Sequence, residues 1–488
     1  MRAFCLTGIL VLAAWLRLDD LGSRPMHADE ANQAVKLGEL LERGQYRFDP
    51  YDHHGPTLYY LALVPAWLRG EHTLAELTET TVRLTPALVG TASVLLLALL
   101  LIPLGWTPAW VAALLFAVAP AAVYYSRYFV QETLLLGFTL LTLLAGVRWR
   151  ATRADRWIGV AGVGLGLMQA TKASAPLFVV VAALVCLATR GLRDERRSEA
   201  AESGQAPRML RATVLALAIA ALVAGVFYSS FLTHFAGLKD AVATYLPMAG
   251  RVSSEAGGHD KPVWYYVSLF WRQRIGGYVW DQTPFLVLVA LGGVEVIRRR
   301  VRAEWRVFAY GLALACCLSA VPYKTPWVVI HLLPAGCGIA AIWPGRWGQR
   351  GGWRAGVALL VVAGVTVWQG LQVRQAVFLR PADPRNPLAY VHSSPDVKKV
   401  AALAAKAGPG PIKVISEEYW PLPWYLRTRA EVGYWPTVPT NCDGALVLVS
   451  PALAGAVRER LVGRYEESYL GLRPGVVLLV FRRLPDPP

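Results

Sequence analysis

The segment His27-Ala28-Asp29-Glu30 sets two carboxylates and an imidazole within four residues. A carboxylate held in a loop beside a membrane can take the proton of an attacking hydroxyl as a new bond forms. The same residues also read structurally, with Asp29 as the N-cap of the helix that follows and Glu30 complementing its dipole. Local sequence leaves both roles open, and one residue can fill both. His53 and His54 stand before Gly55-Pro56, where one ring could bind a phosphate or orient an acceptor, or the pair could simply build a turn. Arg127 lies in Tyr124-Tyr125-Ser126-Arg127-Tyr128, with Glu132 five residues on. Lys172 separates two closely spaced apolar runs, and Lys324 lies in Tyr323-Lys324-Thr325-Pro326-Trp327. Cations of this kind can offset the charge that develops on a departing phosphate. Taken singly, each is better explained by a side chain snorkelling at a helix end; three on one face with a carboxylate loop shift the balance. The spacing of His and Cys offers no zinc site, and whether a metal is needed stays open.

The elements that must position these residues are membrane spans. The chain has 488 residues, 55% of them hydrophobic, with 18 tryptophans and 20 tyrosines suited to interfacial belts. Eleven apolar runs are expected to span a bilayer: about 3–18, 83–103, 109–125, 133–147, 158–170, 174–189, 212–232, 284–297, 307–321, 327–343 and 355–371. The first lacks a clear cleavage site and reads as a retained helix. The formal charge of +16 suggests nucleic acid at first sight, but its distribution argues against that. Arginines concentrate in segments 148–157, 190–211, 298–306 and 344–354, which hold four, six, five and three of them. If the amino terminus is cytoplasmic, parity puts all four inside, as the positive-inside rule requires. The same parity puts 19–82, 126–132, 171–173, 233–283, 322–326 and the tail from 372 outside. Every candidate chemical residue falls in that outer set.

Loop 19–82 carries an amphipathic helix over 31–43 ended by Gly44. Loop 233–283 adds charges and the aromatic segment Trp264-Tyr265-Tyr266, either a lid or an ordinary solvated loop. Residues 1–371 thus form a transmembrane domain. Residues 372–488, with short apolar runs at 412–416, 445–450 and 476–481 and helical patterns near 394–407 and 451–463, read as a small extracytoplasmic α/β domain. Segment 193–208 is charged and rich in Ser and Ala, a low-complexity loop. The six cysteines give no disulfide framework, and Gly162-Val163-Gly164-Leu165-Gly166 inside an apolar run suits tight helix packing rather than a nucleotide loop.

Taken together, these residues resemble the GT-C superfamily of membrane glycosyltransferases. Arg17-Leu18 with His27–Ala31 is similar to the first-loop acidic motif of the protein mannosyltransferase and lipid A aminoarabinose transferase branch, and Tyr51–Tyr60 to the His/Pro segment that follows it there. More narrowly, Tyr124–Arg127, Tyr323–Trp327 and Tyr419–Arg427 resemble the family known as flippase activity-associated proteins. The resemblance implies a polytopic α-helical fold of GT-C type. It implies a polyprenyl-phosphate-linked sugar donor, inversion at the anomeric carbon, and transfer on the outer face to a glycan, lipid or protein acceptor. It implies Asp29 as the catalytic carboxylate, with Glu30 supporting it or the acceptor. Arg127, Lys172, Lys324 and His53 or His54 are candidate phosphate contacts from position alone. Superfamily members often carry a further acid in the second outer loop; here Gln131-Glu132 occupies that region, which makes Glu132 the candidate equivalent and leaves a divalent metal open. The expected setting is a bacterial or archaeal cytoplasmic membrane, with membrane lipids and no nucleic acid as partners. A non-catalytic protein that translocates or presents lipid-linked glycans would use the same phosphate site without chemistry. An ion-coupled transporter would need ionisable residues at mid-membrane, and the apolar runs hold almost none.

Overall fold

The computed structural model describes residues 2–51, 54–192, 205–248 and 260–485. Its helices are α1 (Arg2–Leu18), α2 (Ala28–Arg43), α3 (Thr57–Leu68), α4 (Glu79–Leu101), α5 (Trp106–Ala117), α6 (Pro120–Ser126), α7 (Glu132–Thr152), α8 (Arg156–Gln169), α9 (Ala175–Ala188), α10 (Gln205–Tyr228), α11 (Ala236–Ala243), α12 (Thr283–Arg299), α13 (Arg302–Ala320), α14 (Leu333–Ala340), α15 (Ile342–Gln349), α16 (Gly352–Val373) and α17 (Lys399–Lys406). The chain divides into two compact units. The first holds residues 1–19, 45–61 and 83–380, the second 20–44, 62–82 and 381–488.

The first unit is helical. Among the described residues, four helical stretches are long and apolar enough to cross a membrane: Glu79–Leu104, Glu132–Thr152, Pro207–Tyr228 and Gly352–Leu379. A fifth candidate is the pair α5–α6, bent by 58°. Shorter apolar helices cover Phe4–Leu18, Thr57–Leu68 and Ala175–Ala188. Two expected spans are interrupted, and proline is the reason. Pro120 cannot donate to Phe116 O, so the run 109–125 breaks there. The run 327–343 divides into a 3-10 turn over Pro326–His331, then α14 and the start of α15. The break at α5 is held by Arg17, which is fully buried and donates to Ala117 O at 2.9 Å and Phe116 O at 3.3 Å. An arginine in an apolar helix is thus explained by the carbonyls that a neighbouring break leaves open.

Close helix packing follows from small residues. A Cβ on Gly162 would lie 2.8 Å from Ala216 O, and one on Gly166 would lie 2.7 Å from Ala220 O, both in α10. A Cβ on Gly164 would meet Thr142 Oγ1 of α7 at 2.4 Å. The glycine triplet therefore sets α8 between two neighbours.

The second unit is built on a five-stranded sheet. Its strands, numbered on from the small hairpin β1 (Gln273–Ile275) and β2 (Tyr278–Trp280) of the first unit, are β3 (Ile412–Ile415), β4 (Val432–Trp435), β5 (Leu446–Val449), β6 (Tyr465–Arg473) and β7 (Val476–Arg483). The order is β4-β3-β5-β7-β6, with β3 parallel to β4 and β5, and β7 antiparallel to β5 and β6. Strands β3 and β5 are buried along their whole length at the sheet centre, and the one charge among them, Lys413, donates to Asn441 O at 2.6 Å. Edge strand β6 carries Glu466 and Glu467, paired with Arg482 and Arg458, and such charges discourage pairing with another chain.

Candidate functional site

In the second unit the acidic motif opens α2. The N-cap is His27, not Asp29: its Nδ1 accepts from Asp29 N at 3.1 Å, and Glu30 Oε2 accepts from His27 N at 3.1 Å. The imidazole takes the capping role because Glu30 then sits at N3 and closes the reciprocal box. At the other end Gly44 adopts φ 67°, and its N–H donates to Leu40 O at 2.9 Å, a left-handed stop that glycine adopts without a Cβ clash. With Nδ1 accepting, His27 carries its proton on Nε2, which donates to Tyr390 O at 3.1 Å.

The two carboxylates have opposite environments. Glu30 is fully buried, and both its oxygens accept from Arg24 Nη2 at 3.0 Å. The Asp29 side chain is 52% exposed, with Oδ2 3.8 Å from His27 Nδ1. Asp29 is therefore the carboxylate open to solvent, and Glu30 is the one built into the scaffold. His392 packs edge-on to His27, with ring centroids 5.6 Å apart. Burial holds His392 well below the usual histidine range, and the neighbouring Arg24 and His27 add to that. Its Nδ1 donates to Ser393 O at 3.1 Å.

The aromatic segment near residue 424 supports the same loop. Met26 N donates to Tyr425 Oη at 2.8 Å, Trp424 Nε1 to Glu79 Oε1 at 3.0 Å, and Arg427 Nη2 to Leu77 O at 2.8 Å. Trp424 is fully buried, with the Arg427 guanidinium 4.0 Å from its ring. This segment is core.

In the first unit the candidate cations fall into two classes. Arg127 Nη1 donates to Leu16 O at 3.3 Å and Arg17 O at 3.4 Å, and to Asp19 O, so it caps the end of α1. Lys324 donates to Lys261 O at 3.0 Å and Val321 O at 2.5 Å, tying segment 260–261 to 321–324. Both are nearly inaccessible. Lys172 differs. It pairs with Glu132 at the start of α7, and its side chain keeps 17% exposure against 3% for the carboxylate. His54 is half-buried and adjoins the same place. Gly55 N donates to Thr171 O at 3.0 Å, and the Thr57 and Thr171 hydroxyls lie 2.7 Å apart. A Cβ on Gly55 would stand 2.1 Å from Ala170 O, so only glycine permits this approach. The structure thus brings His54, Glu132 and Lys172 into one neighbourhood and gives Arg127 and Lys324 to backbone carbonyls. His53 lies outside the described residues. Among the described residues no group of three or more His, Cys, Asp or Glu is arranged to hold a metal.

Sequence reasoning did not single out Arg24, Tyr390 or His392. Arg24 has a faint local signal, a basic residue shortly before an acidic pair. Tyr390 and His392 have none, because they reach His27 only through the tertiary fold.

A family model described as dolichyl-phosphate-mannose-protein mannosyltransferase matches residues 43–236, a stretch that includes His54, Arg127, Glu132 and Lys172. The structure of ArnT from Cupriavidus metallidurans bound to undecaprenyl phosphate is 16% identical, with 97% of each chain covered and a TM-score of 0.68. The chain shares the fold of ArnT. The archaeal oligosaccharyltransferase AglB from Archaeoglobus fulgidus, in complex with an inhibitory peptide and a dolichol-phosphate, has the same fold at 12% identity and a TM-score of 0.57, covering 87% of this chain and 63% of that one. No curated protein sequence matches significantly. The shared fold accounts for the helical first unit carrying the candidate cations.

Proposed function

We propose that this protein is an inverting glycosyltransferase of the GT-C superfamily, moving a sugar from a polyprenyl-phosphate-linked donor to an acceptor hydroxyl at the outer membrane face. The observation that carries the reading is the contrast at the first-loop motif. Asp29 is half-exposed at the start of a doubly capped helix, while its neighbour Glu30 is locked to Arg24. An exposed carboxylate whose backbone is fixed is what a general base requires.

In the reaction, Asp29 accepts the acceptor's hydroxyl proton while that oxygen bonds the anomeric carbon. The bond from that carbon to the phosphate oxygen breaks, and polyprenyl phosphate leaves on the opposite face, which inverts the configuration. Lys172 offsets the charge developing on the phosphate, with Glu132 orienting its ammonium and His54 as a further contact. Arg24, His27 and Glu30 are positioning residues for Asp29. Arg127 and Lys324 keep the helix ends and loops in place. The lipid carrier is supported by the ligands in the neighbouring structures, undecaprenyl phosphate in ArnT and dolichol-phosphate in AglB.

The test is a panel of undecaprenyl-phosphate hexoses and pentoses supplied to the protein in proteoliposomes, reading release of undecaprenyl phosphate. Turnover of at least one donor is expected. Binding of undecaprenyl phosphate with no turnover across the panel would favour the non-catalytic presenting role instead.

A further inference from the structure

Within the first unit, α4, α7, α9 and α13 line a cavity of about 420 Å³ that starts at Leu136 and His331, one helical turn from Glu132. Along α7 it runs from Leu136 to Arg150, a length of about 21 Å at ~1.5 Å per residue. Its wall is mainly Leu, Val and Ala, and its two threonine hydroxyls are turned toward the protein. Thr139 Oγ1 donates to Leu135 O at 2.7 Å, and Thr142 Oγ1 to Met168 Sδ at 3.5 Å. A long, narrow, apolar space of this kind suits a hydrocarbon chain rather than a polar substrate.

One end of the cavity is charged. Arg150 and Arg306 line it. Arg306 is steadied by its Nε bond to Thr189 Oγ1 at 3.2 Å, and beside it Arg302 donates to Leu192 O at 2.8 Å and Arg190 O at 2.7 Å. Three arginine-rich segments therefore meet here. Glu304, next to Arg306 in sequence, is paired with Arg346, and among the described residues Arg150 has no hydrogen-bond or ion-pair partner. The cavity thus sets the guanidinium groups of Arg150 and Arg306 beside an apolar slot, which complements a phosphate attached to a hydrocarbon chain.

We propose that this cavity holds one acyl chain of an anionic phospholipid, with the headgroup phosphate at Arg150 and Arg306. The site lies at the arginine-rich ends, which the sequence assigns to the cytoplasmic side, and does not depend on the transferase reading.

The test uses native mass spectrometry of the full chain released from nanodiscs containing equal amounts of phosphatidylglycerol and phosphatidylcholine. Retention of one phosphatidylglycerol in preference to phosphatidylcholine is expected. Arg150→Gln and Arg306→Gln should each weaken that retention about fivefold. Gly146 lines the cavity, and a Cβ there meets nothing within 4 Å, so Gly146→Leu should fill the slot and abolish retention at an unchanged melting temperature. Equal retention of the two lipids, or wild-type retention by both arginine variants, would overturn the proposal even if Gly146→Leu failed to fold. Stoichiometric displacement of the phosphatidylglycerol by added undecaprenyl phosphate would also overturn it, since the occupant would then be a carrier lipid.

Discussion

Asp29 and Glu30 are adjacent in sequence and indistinguishable there as acids, yet the fold gives them different work. Arg24 Nη2 sits 3.0 Å from each Glu30 oxygen with both groups buried, and removing one partner of such a pair leaves an unmatched charge in the interior. Arg24→Met should lower stability by about 3–5 kcal/mol, and the double replacement Arg24→Met with Glu30→Met should recover much of that loss in melting temperature. His392 adds a pH dependence. It is neutral when folded because burial beside Arg24 and His27 disfavours its charge; Glu30 opposes this to a lesser degree. The unfolded chain therefore binds the extra proton, so this stability is complete above about pH 6.5 and declines as pH falls below it. His392→Phe should flatten that decline in thermal melts from pH 7.5 to 5. The motif was legible locally because acids before an amphipathic helix form a recognisable pattern. Its N-cap and buried partners were not, since Tyr390 and His392 contact it only after folding.

At the level of elements, two close approaches fix the lysine neighbourhood. The Gly55 segment is bonded to residues 170–171, with 2.1 Å between a hypothetical Cβ and Ala170 O. Gly55→Ala must push the two segments of this contact apart, and should lower both the melting temperature and the affinity for undecaprenyl phosphate. Lys172→Gln should weaken undecaprenyl phosphate binding about tenfold or more, the loss expected for a charge-assisted bond. Lys324→Gln should instead act mainly on stability, because its ammonium is spent on Val321 O and Lys261 O. Titration of purified variants with undecaprenyl phosphate separates the two cases. Helices such as α4, α7 and α16 were legible as long apolar runs. The breaks at Pro120 and after His331 were harder to read, because apolar composition continues across them while the backbone turns.

For the molecule as a whole, the second unit draws together chain from both ends of the sequence. Trp424 is buried against Glu79 and Arg427 in that unit, so Trp424→Ala should cost about 3–5 kcal/mol and expose the first-loop segments to limited proteolysis. Strands β3, β5 and β7 were readable as β-type runs, while β6, with Glu466 and Glu467 exposed on opposite faces, shows itself as a strand only through its pairing with β7. That residues 20–44 and 62–82 fold with residues 381–488 could not be read from composition, which describes segments and not their partners. The central claim concerns the whole reaction, and Asp29→Asn tests it most directly. With the donor found by the panel, transfer and donor binding should be measured separately on wild type and Asp29→Asn in proteoliposomes. The variant should bind donor as wild type does and transfer at least about 100-fold more slowly; near-normal turnover by Asp29→Asn would contradict the assignment of Asp29 as the base.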